Sequence, residues 1–545
     1  MDPAQSTSDA GGDDAATVSA ADDGRLKRAL GTPSLAMLTF SSVIGSGWLL
    51  SPYTVAKAAG PAALLTWVIG GAATLLVCLV FIDLAFRNPM SGGNVRWPRM
   101  AAGPLVGTAV SWAVLLQAVF AGPSESTAVA QYLGRWLPGL ITQEALSWRG
   151  RLFAAALLLL FCSASFFGVV FITRLNNVVT AVKLVVPAAT VILLLSSGFD
   201  TGNYTVGGGF APYGVSAALT AVVGGGVVYA FTGINGAAVM SGEARDPRKS
   251  VPRATLIVLA GSLLLYLGLQ AAMIYSPPSG LLNSGWHGLN LTSPLAQLAG
   301  LLGLGWLSTV LIADAVFSPS GSMLMGTSIK ARYTYGAAQN GLLPRLFTRV
   351  NRRWGVPWIA LSFNALVGVV VILGFGSWES IVSSISFFYG LSYAVVSVAA
   401  TVLHRTETGR GWLGRWSIPV GAASFVLSGL ILYWSGWPKV RIAVPLLLIG
   451  FVIYSVRHFV RGARETVPLR QGSWLLGWVL LVGALSAFGS FQGTGAIAAP
   501  YDTVVAGVLS AVAWWAAHRS GVRYRLGSAG GSTVDSPARQ AVRAG

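Results

Sequence analysis

Four ionisable side chains stand in or at the edge of apolar stretches of this 545-residue chain: Asp83, Glu125, Lys183 and Asp314. A charge inside such a stretch is costly unless it is paired or wetted, so each is a candidate for moving protons or ions. Lys183 lies in Thr180-Ala181-Val182-Lys183-Leu184, where an amine could load and release a proton or could snorkel to a nearby interface. Glu125 follows Gly122-Pro123-Ser124 and could bind an amino group or a proton, or could cap a helix that restarts after Pro123. Asp314 precedes Pro319 by five residues, too deep for its short side chain to reach water. It could take part in proton coupling, or form a structural pair with a hydroxyl or with Lys183. Asp83 stands four residues before Arg87, the spacing of an ion pair on one helix face, and reads as structural.

Two glycine clusters could supply a binding site between these charges. Ile44-Gly45-Ser46-Gly47-Trp48 interrupts the first apolar stretch, and Gly224-Gly225-Gly226-Val227-Val228-Tyr229-Ala230-Phe231-Thr232-Gly233-Ile234-Asn235-Gly236 interrupts the sixth. Glycine lets backbone leave helical geometry, and non-helical backbone at membrane depth survives where it is buried in protein or lines a cavity. An unwound point presents N–H groups at the start of the next half-helix, which suits a carboxylate. Close helix packing by small residues is the plainer reading of one such cluster. Two of them, first and sixth, are what an inverted five-helix repeat with substrate between its broken helices predicts.

The elements that carry these residues are transmembrane helices. Hydrophobic residues make up 54% of the chain and charged residues 10%, against roughly a quarter charged in a soluble domain. Fourteen apolar segments of about 20 residues or more fall near 34–58, 62–86, 104–133, 152–171, 176–197, 215–241, 254–275, 294–329, 357–374, 379–403, 418–436, 442–460, 473–491 and 501–518. The third and eighth are over-long, which predicts tilt or extension beyond the bilayer. Residues 1–30 and 521–545 read as disordered cytoplasmic tails, the first acidic and the second rich in small residues.

The net charge of +18 would suit nucleic acid in a soluble protein, but here the basic residues sit in short loops between apolar runs. With the N-terminus in the cytoplasm, 29 of the 36 Lys and Arg fall on cytoplasmic segments, six on external ones, and Lys183 within a span. That asymmetry puts both termini inside. Two cysteines, Cys78 and Cys162, and four scattered histidines form no metal-ligand cluster. Glycines 207 to 209 lack the Lys-Ser/Thr of a phosphate cradle, so neither a metal nor a nucleotide cofactor is expected, and no enzymatic chemistry. Trp67, Trp112, Trp378 and Trp437 read as interface-belt or packing residues.

Several motifs together carry a resemblance: Gly45-Ser46-Gly47, the Phe231-Thr232-Gly233 of span six, Asn88-Pro89-Met90-Ser91-Gly92-Gly93 after span two, and the Glu-x-x-Asp-Pro-Arg-x-x-x-Pro-Arg-Ala run from Glu243 to Ala254. With these, residues 30 to 520 resemble the amino acid–polyamine–organocation superfamily of secondary transporters. Ile44 to Leu49, Leu304-Gly305-Trp306-Leu307, Asp314 to Pro319, Tyr433 to Trp437 and Gly489-Ser490-Phe491 narrow the likeness to its bacterial aspartate–proton symporter branch. One departure stands out: Asn235 occupies a position where many members carry Glu.

The resemblance implies an all-α permease of the bacterial inner membrane. Two inverted five-helix repeats within 31–405 would have discontinuous helices 1 and 6, and four more helices would follow in 406–520. It implies proton-coupled amino acid uptake, aspartate or glutamate first, with sodium coupling and the oligomeric state left open. The substrate would touch Val43, Ile44, Gly45, Ser46, Gly47, Tyr229, Ala230, Phe231, Thr232 and Gly233. Its carboxylate would rest on N–H groups near Ser46 and Gly47, and its ammonium on carbonyls near Val43, Tyr229 and Thr232. Lys183 would stand where sodium-coupled members line an ion site. Lys183, Glu125 and Asp314 are the proton-coupling candidates. A cationic amino acid or polyamine carrier is the alternative that the two buried acids would suit, and a non-transporting sensor on the same scaffold is the other.

Overall fold

A computed structural model describes residue 28 and residues 30–142, 145–164, 169–339, 343–351, 357–407, 409–460 and 469–531. The expected N-terminal tail lies almost wholly outside the described residues, as does the end of the C-terminal one. Among the described residues the chain is all-α apart from a small hairpin pairing Ile141 with Leu146 and two isolated bridges. Among the described residues, each of the fourteen apolar segments is largely helical, with residues 165–168 of the fourth lying outside them. Eight helical runs among the described residues are long and apolar enough to cross a membrane, with Gly214–Ala230 and Gly472–Phe488 as shorter apolar helices.

The first segment is two helices, α1 (Thr32–Val43) and α2 (Gly47–Ala59), separated by Ile44, Gly45 and Ser46. A proline near its start favours α1. Ile44, at φ −84° and ψ 89°, ends it. Helices α3 (Ala63–Arg87), α4 (Gly93–Leu133), α5 (Trp148–Ala164) and α6 (Val169–Ser197) complete the first set of five segments. The sixth segment breaks into α7 (Gly214–Gly224), the single turn α8 (Val227–Ala230) and the single turn α9 (Gly236–Val239). Gly226 and Gly233 have φ of +83° and +90°, where a side chain would be strained. Then come α10 (Pro247–Tyr275), α11 (Pro294–Leu301), α12 (Gly305–Gln339), α13 (Trp358–Phe375) and α14 (Trp378–Thr406). Because five crossings reverse direction, a second set led by a broken helix runs inverted to the first. Helices α15 (Ser417–Trp434), α16 (Trp437–Val460), α17 (Leu469–Phe488) and α18 (Tyr501–Gly531) follow.

Three boundaries differ from the sequence expectation. The over-long eighth segment is not one helix: it turns at Gly303, φ +78°, into the short α11 and the 35-residue α12, which runs past the segment's expected end at 329. The third segment is kinked at Gly103, just before Pro104, and its helix begins at Gly93. The last helix runs to Gly531, so the tail expected from 521 is helical over its first eleven residues.

Almost the whole length of α14 is buried. It packs against α4 more extensively than any other helix pair, with α15 and α18 also against it. The apolar residues left exposed, among them Val185, Ile192, Leu264 and Leu366, sit on outer helix faces, as a lipid-facing surface requires.

At one end of the bundle, the chain ahead of α1 is tied to the loop behind α9. Leu30 N–H donates to the Glu243 carbonyl (3.1 Å) and Arg245 N–H to the Leu30 carbonyl (3.0 Å). Gly92 N–H donates to the Val239 carbonyl (3.0 Å), and Met90 N–H to Ser241 Oγ (3.1 Å). Close by, Asp83 is paired with Arg87 Nε at 3.1 Å, both nearly inaccessible to water. Its oxygens also accept from Leu413 N–H (2.9 Å) and Ser417 Oγ (2.9 Å). The i,i+4 pair read from the sequence therefore also anchors the start of α15.

Candidate functional site

The breaks in the first and sixth segments face one another across the core. A Cβ on Gly47 would come 3.0 Å from Ala230 Cα, so the two backbones touch through glycine. A Cβ on Gly233 would strike Ser42 in the last turn of α1. Both glycine clusters thus serve close approach, and both also leave helical geometry.

Glu125 of α4 reaches into this junction. Its Oε2 accepts from Ser46 N–H at 2.9 Å, and its Oε1 accepts from the Tyr229 hydroxyl at 2.9 Å. Gly45 makes room for it, because a Cβ there would collide with Oε1. Trp378 Nε1 donates to Ser46 Oγ at 3.0 Å. Ser46 Oγ lies 3.2 Å from the Tyr229 hydroxyl, and Ser124 Oγ lies 2.8 Å from it. One donor order satisfies the chain from Trp378 to Ser46 to Tyr229 to Glu125, with each hydroxyl proton used once. A buried carboxylate is tolerable on such terms, since backbone N–H and hydroxyl donors replace water.

The backbone around the seat is largely engaged. The Tyr266 hydroxyl donates to the Ala230 carbonyl at 2.8 Å and reaches the Val43 carbonyl at 3.5 Å. Thr232 Oγ1 donates to the Tyr229 carbonyl at 2.7 Å. Phe231 meets Trp67 and Tyr266 edge-on, at ring separations of 6.0 and 5.3 Å. Tyr229 therefore turns its hydroxyl to the seat, while Phe231 turns into an aromatic cluster beside it. Ile44 is fully buried. Asn235 is buried at the start of α9 and makes no cap bond there.

Lys183 of α6 lies just below the first break. Its Nζ donates to the Ser41 carbonyl at 3.3 Å and to Ser322 Oγ of α12 at 2.5 Å. It is buried, not snorkelled. Asp314 of α12 is in electrostatic reach of Lys183. Among the described residues, though, neither of its oxygens has a hydrogen-bond partner. Asp314 lines a crevice of about 750 Å³ between α6 and α12, whose other walls include Val179, Val182, Val186 and Phe317.

Sequence reasoning missed two participants. Lys330 falls just past the apolar segment that ends at 329, yet it lies inside α12 and is in electrostatic reach of Glu125. A long helix through residue 330 was hidden by the Lys-Ala-Arg run, which looks like a loop. Trp378 was assigned to a belt or to packing. Its indole instead bonds Ser46, a contact between residues 332 apart that no local pattern reveals. No group of His, Cys, Asp and Glu able to hold a metal occurs among the described residues.

Comparison with known proteins places the chain. The amino acid permease family model matches residues 30–456. The glutamate/serine transporter AimA of Bacillus subtilis is 32% identical over 91% of this chain and 94% of that protein. The aspartate-proton symporter of the same organism is 31% identical over 90% of this chain and 96% of its own length. The human cationic amino acid transporter 4 is 29% identical over 69% of this chain and 60% of its own. Among solved structures, Mhp1, a nucleobase-cation-symport-1 family transporter in a closed conformation with bromovinylhydantoin bound, aligns at a TM-score of 0.47. The identity is 17%, over 82% of this chain and 97% of that one.

Proposed function

The chain belongs to the amino acid permease family, and on that footing we propose that it takes up acidic amino acids together with protons, glutamate or aspartate first. The observation that supports amino acid binding is the carboxylate already lodged at the first break, on Ser46 N–H and the Tyr229 hydroxyl. That environment recognises a carboxylate. An amino acid entering between the breaks would place its own carboxylate there, and its ammonium on carbonyls near Val43, Tyr229 and Thr232. The two bacterial relatives named for glutamate, serine and aspartate support the same substrate class.

Lys183 would carry the coupling proton. As an ammonium it holds the end of α1 to α12 through Ser41 and Ser322; as a neutral amine it holds them less firmly. Glu125 and Asp314 are the further titratable groups of the path. Movement of the segments led by α1 and α7 against the scaffold of α4 and α14 would open the seat to either side. The cell membrane is the site of action, with both chain ends cytoplasmic as the basic loops indicate. A cationic substrate is the second reading, favoured by the buried carboxylate of Asp314, which has no hydrogen-bond partner among the described residues.

Purified protein in proteoliposomes, offered a panel of labelled amino acids under separately imposed proton and sodium gradients, tests the proposal. Accumulation of glutamate or aspartate under the proton gradient alone is expected. Accumulation of arginine or putrescine instead would establish the second reading, and sodium dependence would remove Lys183 from the coupling role.

A further inference from the structure

Glu125 holds the very donors that a substrate carboxylate needs. The acid is anchored on α4, whose main packing partner is the buried α14. The donors belong to the two broken segments: Ser46 N–H opens α2, and the Tyr229 hydroxyl comes from α8. The side chain is 6% exposed, so it is not a surface acid folded inward. Gly45 lacks the Cβ that would exclude it. A site built merely to receive a ligand would leave the Ser46 N–H facing a cavity.

Resting on the proposed function, we propose that Glu125 is a tethered competitor for the substrate's carboxylate. The two exchange places on Ser46 N–H, and Glu125 takes a proton when it leaves the seat. Two carboxylates sharing these donors would repel strongly in a dry site. A neutral acid can remain beside the bound substrate, whereas an ionised one cannot do so cheaply. When the substrate departs, Glu125 releases the proton and reseats. No covalent bond changes: one proton, the coupling proton that Lys183 relays to Glu125, is bound with the substrate and released with it. The titratable groups around Glu125 are Tyr229 from α8, Tyr266 from α10, Lys183 from α6 and Lys330 from α12. The two lysines attract either carboxylate alike, so they raise the negative charge the site can hold without choosing between occupants. The exchange gives the permease a reason to bind substrate only with a proton aboard, and a reason to prefer molecules that bring a carboxylate.

Binding of labelled glutamate or aspartate to the purified full-length protein, measured across acid to neutral pH, tests this. Wild-type affinity should weaken as pH rises, by up to about tenfold per pH unit. In Glu125→Gln and Glu125→Ala that slope should vanish, and affinity at neutral pH should reach at least the wild-type acid value. Should both variants fail to fold, wild-type protein answers alone. Infrared difference spectra on substrate addition should show a protonated carboxylic acid appear, a signal that no lysine can give. A variant that retains the wild-type slope, or wild-type spectra without that signal while substrate binds, overturns the exchange. Failure of the wild-type protein to bind any amino acid would instead overturn the transport reading beneath it.

Discussion

Lys183 Nζ lies 3.3 Å from the carbonyl oxygen of Ser41, in the last turn of α1, and spends a second bond on Ser322 of α12. The lysine thus links the end of one half-helix to a helix of the opposite set at the point where the backbone unwinds. Removing the amine leaves that joint without its donor. Lys183→Ala should abolish accumulation driven by a pH gradient, where each pH unit otherwise supports about tenfold concentration per proton. The pH dependence of uptake should flatten. Proteoliposome uptake at fixed voltage reads this directly, and undiminished acid-stimulated accumulation would reassign Lys183 to packing.

The glycines of the two breaks should tolerate no side chain. Gly47→Leu would drive its Cβ and beyond into Ala230, and Gly233→Leu adds a φ of +90° to a collision with Ser42. At Gly233 the backbone strain alone costs about 1–3 kcal/mol. Both variants should reach the membrane yet bind no detectable substrate in a scintillation assay. Wild-type affinity in either one would show that the breaks play no part in binding.

Asp83 should behave in the opposite way. Asp83→Ala leaves Arg87 buried without its partner and frees Leu413 and Ser417, a loss of roughly 3–5 kcal/mol. The melting temperature in detergent should drop sharply, while protein that survives retains its KM. A changed KM in folded variant would tie this corner to transport.

Substrate charge gives a further check. Aspartate or glutamate moving with one proton carries no net charge across the membrane. A voltage contributes about 2.3 kcal/mol per charge per 100 mV, and a pH unit about 1.4 kcal/mol per proton. Uptake should therefore follow the pH gradient and hardly respond to a potassium–valinomycin potential. Excess glutamate should inhibit and excess arginine should not. A strong voltage response would mean more than one proton per substrate or a substrate of another charge.

Much of this architecture was legible in the sequence because its causes are local. Apolar length marks the helices, and clustered glycine marks the two breaks at Gly45–Gly47 and Gly224–Gly236. The buried lysine at 183 announced itself by standing alone in apolar surroundings. What escaped depends on partners far along the chain. Nothing near Trp378 encodes its bond to Ser46, and nothing near Glu125 says that its carboxylate ends on a backbone N–H 79 residues away. The turn at Gly303 was missed for another reason: Leu302 and Leu304 keep the hydropathy high through it, so composition does not register the break.

The backbone pairing of Leu30 with Glu243 and Arg245, on either side of Ala244, has a mechanical consequence. It fastens the root of α1 to the far side of the sixth segment, and the Met90–Gly92 turn is sewn to the same patch. Two hinges, at residues 44–46 and 231–235, then share one handle. Displacing one stub would therefore strain the bonds that hold the other, a link between the two breaks that lies outside the seat. The stiffness of that seam, set by a few backbone bonds outside the seat, governs how readily the two stubs part from the scaffold.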